Sequence, residues 1–302
     1  MKTVLMFPGQ GAQFVGMGKD LADGSALARE VFEEADDTLG YALSEVCFAG
    51  PDERLVRTDV CQPALVAVST AAWRVAQAEG LTGDAVMGHS LGEYSALVAA
   101  GSMPFATALR VVAERGAAMQ AAGDENPGTM AAVLGQDDDD VEAMCEQAGD
   151  VWPANYNCPG QVVVSGTIDG VGRLLELAAA AGAKTARLNV AGAFHSPLVA
   201  PAADRLQPAL EAWDPAPAEP PFLSTTTCRV EEPQDMHRVL LDQLTSAVRF
   251  GAAVGTALDQ GAERFVELGP GKVLSGLVRR VHRGATTVQI GAMADLAAIR
   301  EG

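Results

Sequence analysis

The sequence predicts an α/β protein with a largely parallel sheet, interrupted by a smaller unit that carries its own strands. Three observations support this. Short apolar runs alternate with amphipathic helical stretches, and strand, turn and helix in that order build a parallel sheet. From Thr129 the pattern changes to closely spaced strands around two helices. At 302 residues, 48% hydrophobic and only 5% aromatic, the chain can bury a large core without disulfides or metals.

Taken in order, Val4 to Phe7 is a strand stopped by Pro8-Gly9. Asp20 to Leu39 has helical spacing, and Gln62 to Glu79 is an alanine-rich helix. Ala85 to Gly88 reads as a strand, Leu91 to Ala100 as a helix and Val111 to Gly123 as part of another. Met130 to Gly135 is a strand. Asp137 to Asp140 then open a helix, where acids suit the macrodipole; the glycine and terminal Glu of a calcium loop are missing. Gln161 to Gly166 is a strand, Ile168 to Gly182 a helix and Ala183 to Val190 a strand. This β-α-β-β-style run suggests a ferredoxin-like insert over 127–192, between the halves 1–126 and 193–302 of a larger domain. Asp214 to Phe222 is proline-rich and crosses the surface. Gln234 to Ala247 and Gly251 to Gln260 read as helices, and Glu263 to Leu268 as a strand entering Gly269-Pro270-Gly271-Lys272.

Charge and cysteines narrow the function. With 21 Lys and Arg against 39 Asp and Glu, the net charge is −18, and no basic stripe exists to bind nucleic acid or an anionic membrane. Five scattered cysteines without CxxC or His/Cys spacing point to a reducing compartment and no metal. The first apolar run is too short for a signal peptide and no run approaches 18 residues, so the expected location is cytoplasmic.

Gly88-His89-Ser90-Leu91-Gly92 is a GxSxG pentapeptide between a predicted strand and a predicted helix. A sharp turn there exposes a serine hydroxyl above the sheet edge; the plainer reading is a glycine-rich helix cap. A nucleophilic serine needs a base, and the chain has four histidines. His89 adjoins Ser90 on a tight turn, so the two side chains point apart. His237 lies in a charged helical stretch and His282 among Arg279, Arg280 and Arg283. His195 remains, among small and apolar neighbours in Ala191 to Pro197, suited to act as general base and then general acid. Taken without Ser90, such a histidine is more often a satisfied core or loop group.

Two further features are open to two readings. The loop FPGQGAQ, 7–13, is either a plain turn or a backbone donor that joins the Leu91 N–H in an oxyanion hole. It fits neither nucleotide-loop pattern, and Gly269 to Lys272 lacks the Walker spacing. Arg115, on an otherwise small and apolar helix, is either a surface ion pair with Glu114 or a planar fork for a substrate carboxylate.

Together these residues resemble a family. FPGQGAQ at 7–13, QPAL at 62–65, GHSLGEYSAL at 88–97, RGAAMQ at 115–120, NYNCPGQVVVSG at 155–166, AFHSP at 193–197 and ELGPGKVLSGL at 267–277 are similar to malonyl-CoA:acyl carrier protein transacylases, including discrete trans-acting polyketide synthase acyltransferases. The similarity runs through nearly the whole chain in order. It implies an α/β-hydrolase-like large domain with the ferredoxin-like insert, and a ping-pong transfer of malonyl from coenzyme A through Ser90 to the phosphopantetheine thiol of an acyl carrier protein. No other cofactor is implied, and a monomer is expected.

By the same resemblance Ser90 is the nucleophile and His195 its base, Gln10 and Leu91 supply the oxyanion hole, and Arg115 binds the malonyl carboxylate. A backbone carbonyl near Gln243 orients the histidine in place of an acid. Asn155 and Asn157 match polar positions lining the family's site. Phe194 resembles the malonyl-selecting form, where bulk crowds an α-methyl branch. Ala247 stands where the family often has Pro, and Cys158 where it often has Ser. The residues do not separate fatty-acid from polyketide synthesis. Two other functions compete: a hydrolase editing stalled acyl chains with the same Ser-His pair, and a non-catalytic carrier-binding module. Carriers of this family's kind are acidic, so docking to a −18 chain must be local; Arg279, Arg280, His282, Arg283, Lys184, Arg187 and Lys272 are candidates.

Overall fold

Strand β1 (Thr3–Phe7) runs through the middle of a four-stranded parallel sheet in the computed structural model, which describes residues 2–300. Its neighbours are β2 (Ala85–Gly88) on one side and β7 (Arg264–Leu268) on the other, with β8 (Thr286–Ile290) outermost beyond β7. Burial on both faces explains why β1 and β2 read as continuous apolar runs. In register, Phe7 pairs with Gly88, so the loop after β1 and the turn after β2 leave the sheet side by side. Carboxyl ends of parallel strands are where open α/β sheets bind ligands.

The helix Thr58–Ala78 is buried along almost its whole length and lies against the helix Phe105–Glu125. Its alanines let the helices approach closely, which offsets the scarcity of aromatic side chains in filling the core. None of the described helices is long and apolar enough to cross a membrane.

The second sheet is antiparallel, built from β3 (Gly128–Leu134), β4 (Val151–Cys158), β5 (Gln161–Thr167) and β6 (Lys184–Arg187) in the order β4-β5-β3-β6. With the helices Asp138–Ala148 and Ile168–Ala180 it forms the β-α-β-β-α-β arrangement of a ferredoxin-like unit. β4 escapes a reading by periodicity because it contains Pro153, which a sheet accepts at its edge, and β4 is an edge. Its pairing with β5 shifts twice, between Pro153 and Asn155 and between Tyr156 and Cys158. On its free side, Tyr156 N–H donates to Val248 O and Val248 N–H to Ala154 O, both at 2.8 Å.

Several expected elements are corrected. The single helix over 20–39 is two, Lys19–Gly24 and Ala26–Leu39, because Ser25 is extended between them. The helix expected over 234–247 stops at Asp242: Gln243 to Ser246 form turns, and the Val248 backbone is taken up by β4. The strand over 183–190 ends at Arg187, and Leu188 and Val190 turn to line a cavity. Beyond the expected elements, the helix Val273–Val281 and β8 complete the large domain.

Candidate active site

Ser90 sits at the turn between β2 and the helix Gly92–Ala99 with φ of 51°, the left-handed region that an L-residue occupies only when its surroundings hold it there. The flanking glycines make the turn possible. A Cβ on Gly88 would lie 2.0 Å from the carbonyl carbon of Gly92, and one on Gly92 2.0 Å from Phe7 O. The GxSxG spacing is therefore a packing requirement, and its result is a buried hydroxyl at the carboxyl edge of the sheet.

His195 also has positive φ, 57°, and is 5% exposed. Its Nε2 is 2.8 Å from Ser90 Oγ. On the other side, Nδ1 is 2.8 Å from the main-chain oxygen of Gln243 and 3.1 Å from that of Ser246. Carbonyls only accept, so the neutral ring carries its proton on Nδ1 and turns the Nε2 lone pair to Ser90. Burial, reinforced by the Arg115 cation, lowers the imidazole pKa to about 3. The ring is thus a neutral base at neutral pH.

Arg115 is 1% exposed and faces inward, while Glu114 beside it faces solvent, so the surface ion pair is not formed. Its Nη1 donates to Gln62 Oε1 at 2.9 Å, and its Nη2 to Gln243 Oε1 at 2.9 Å and Ser90 Oγ at 3.1 Å. Nε is buried without a hydrogen-bond partner among the described residues. Burial lowers the guanidinium pKa, but from so high a value that the group stays a cation. A buried cation held only by neutral groups, with a donor to spare, is prepared for an anion.

Around Ser90 and His195 lies a chamber of about 80 Å³, to which Gln10, Leu91, Arg115 and Phe194 also contribute. Leu91 directly precedes the helix, so its N–H lies outside the helical ladder; Gln10 comes from the loop after β1. Asn155 and His89 line both this chamber and a wider channel of about 400 Å³ leading outward. Asn157 lines only the channel and accepts from His89 Nε2 at 2.9 Å. Burial lowers the His89 pKa, leaving that ring neutral too. The arrangement can carry an acyl group as an ester on Ser90 and hold a negative charge beside it.

A family model described as an acyl transferase domain matches residues 4–297. The chain belongs to this family. Among curated proteins, the acyltransferase is 44% identical to the "Malonyl CoA-acyl carrier protein transacylase" of Bacillus subtilis (strain 168), over 96% of this chain and 93% of that protein. It is 37% identical to the Staphylococcus aureus (strain MRSA252) protein of the same name, over 98% and 97%. Among solved structures, an acyl-carrier-protein-S-malonyltransferase from Bartonella henselae superposes with a TM-score of 0.96 at 38% identity, covering 100% of this chain and 99% of that one. A malonyl-transacylase in complex with its type II PKS acyl-carrier protein also gives 0.96, at 37% identity and the same coverage.

Beyond the apolar lining of Met119, Met130, Leu188 and Val190, three hydrogen-bonding residues of the acyltransferase's site carried no assigned role in the sequence reading. Gln62 is a lone amide in an otherwise apolar helical stretch, a signal that it has a buried partner; that partner is Arg115. Glu93 is a charge among apolar neighbours and is fully buried. Ser246 contributes only its main-chain oxygen, which no side-chain pattern reveals.

Proposed function

We propose that the chain transfers a malonyl group from coenzyme A to the phosphopantetheine thiol of an acyl carrier protein, by a ping-pong reaction through malonyl-Ser90. The observation that carries this reading is the buried Arg115 guanidinium 3.1 Å from the nucleophile, with Nε unpartnered among the described residues. Only an acyl group with its own negative charge makes use of a cation there.

In the first half-reaction His195 Nε2 takes the Ser90 proton as Oγ attacks the thioester carbonyl. The developing oxyanion is received by the N–H groups of Gln10 and Leu91, and the imidazolium, steadied by the Gln243 and Ser246 carbonyls, returns the proton to the departing coenzyme A sulfur. The carrier's thiol then reverses these steps: His195 deprotonates it, sulfur attacks the ester, and the proton goes back to Ser90. Arg115 holds the malonyl carboxylate throughout, fixing the carbonyl relative to Oγ. Phe194, in the chamber wall, crowds an α-branch.

Intact-protein mass spectrometry tests this directly. Malonyl-CoA is expected to add one malonyl group, absent in Ser90→Ala, and holo carrier protein to discharge it with malonyl appearing on the carrier. No adduct removes the transferase reading; an adduct released to water equally fast with or without carrier turns it into a hydrolase.

A further inference from the structure

Glu93, in the first turn of the helix after the nucleophile, is fully buried and touches no cation among the described residues. Its carboxylate is nevertheless well supplied with donors. Oε1 receives the Thr225 N–H at 2.6 Å and the Ser224 hydroxyl at 3.1 Å, and the Thr225 hydroxyl divides its one proton between this oxygen, at 2.8 Å, and Gly88 O, at 2.9 Å. The Ser224 oxygen itself accepts from the Thr226 N–H, so its proton is free for Glu93. Oε2 receives the side-chain amide Nε2 of Gln243 at 2.5 Å.

That last contact reaches into the active site. The guanidinium only donates and the Ser90 carbonyl only accepts, so the Gln243 amide turns its oxygen toward Arg115 and its NH₂ toward Ser90 O and Glu93. Flipped, it would set NH₂ against guanidinium, donor against donor. In the fixed orientation Nε2 also donates to Ser90 O at 3.1 Å, while the main-chain oxygen of the same residue accepts from His195. One glutamine thus contacts nucleophile, base and cation, and Glu93 anchors the NH₂ end of its amide from behind.

The charge arrangement has a second consequence. A carboxylate paired directly with Arg115 would compete with an incoming acyl carboxylate for the same fork. With the amide interposed, the negative charge of ionised Glu93 offsets the cation's burial from one residue away and makes no direct pair with the guanidinium, whose buried Nε has no partner among the described residues.

We propose that Glu93 is a positioning residue of the acyl-transfer site: its carboxyl group anchors the Gln243 amide and, in its ionised form, serves as the remote counter-charge of Arg115, keeping the guanidinium in place without occupying it. The inference rests on the malonyl reading above.

The test compares pre-steady-state labelling of Ser90 by malonyl-CoA and acetyl-CoA in wild type and Glu93→Gln. Glutamine can present either face to Gln243 and carries no charge. Malonyl labelling efficiency is expected to fall about 10- to 100-fold, as for loss of a charge-assisted hydrogen bond, with acetyl labelling falling much less, so that the malonyl-over-acetyl ratio drops about tenfold or more. A merely structural role would slow both thioesters equally and leave the ratio unchanged, which would overturn the proposal. Should Glu93→Gln not fold, Ser224→Ala removes one donor to the carboxylate, and the ratio is expected to fall about threefold; an unchanged ratio there also overturns it. A wild-type enzyme with no preference for malonyl would instead defeat the malonyl reading itself, and the two failures are told apart by that control.

Discussion

Arg115 Nη2 donates to Ser90 Oγ across 3.1 Å, so the cation proposed to meet the acyl carboxylate is also a direct neighbour of the proposed nucleophile. On the proposed mechanism, selectivity and nucleophilicity share one group. The guanidinium favours developing negative charge on Oγ, and the same positive field disfavours a second cation on His195.

Arg115→Ala is expected to lower malonyl-CoA kcat/KM by about 10²-fold or more, the usual cost of removing one partner of a buried charged contact, and to raise the relative use of acetyl-CoA. Arg115→Lys should recover little of the loss, since a point charge cannot serve Gln62, Gln243 and the substrate together. Competition assays with the two thioesters measure both effects. Unchanged malonyl preference in the alanine variant would remove Arg115 from its role.

Phe194 is 5% exposed and lines the chamber that holds Ser90. Phe194→Ser opens room for an α-methyl branch, and the methylmalonyl-over-malonyl ratio should rise by an amount equivalent to about 1–3 kcal/mol, the usual scale for methyl-sized discrimination. The ratio from a mixed-thioester assay is the readout.

Proton linkage at His195 gives a stability signature. Its pKa is held at about 3 in the folded chain against 6.5 in the reference state, so between those values the unfolded chain binds a proton that the folded chain refuses. Stability contributed through this residue falls as pH drops through that window. His89, also lowered by burial, acts in the same direction. Glu93, raised by burial from 4.5 to about 7, has the opposite sign and costs stability as pH rises through its own window. Urea unfolding at pH 7 and pH 4.5 should show a smaller acid-induced loss for His195→Gln than for the wild type; equal losses would mean that the ring takes up its proton normally in the folded chain.

Of the basic residues proposed to dock a carrier, Arg280 is hydrogen-bonded to a residue that lines the channel. Its Nη1 donates to Gln161 Oε1 at 2.6 Å, and Gln161 lines the channel together with the exposed Val273 of the same helix as Arg280. Arg280→Glu should raise the KM for holo carrier protein several-fold at low salt and flatten its salt dependence, with little change in Ser90 labelling by malonyl-CoA. A carrier KM indifferent to this reversal would place docking elsewhere.

Strands β1, β2 and β7 of the parallel sheet were legible because buried parallel strands between amphipathic helices leave apolar runs, and Ser90 because its turn needs glycine at two fixed positions, whereas β8, with a half-exposed polar sequence, left no such signal. His195 could be singled out by elimination among four histidines. What orients it could not be derived from spacing: the acceptors are main-chain oxygens of Gln243 and Ser246, in a stretch whose own periodicity reads as helix. β4 was hidden by Pro153 and by two register shifts that break alternation. The buried amides and carboxylate are visible in the sequence as polar residues in apolar surroundings, but which of them meet depends on contacts as distant as Glu93 and Gln243.

Val248, five residues beyond Gln243, is hydrogen-bonded into the open edge of β4 by both its N–H and its carbonyl. The small sheet thus anchors the turn that steers the catalytic base. Fraying of β4 would slacken that turn and let the imidazole swing while the parallel sheet stayed intact. Loss of that pairing alone would then silence the enzyme ahead of its global melting.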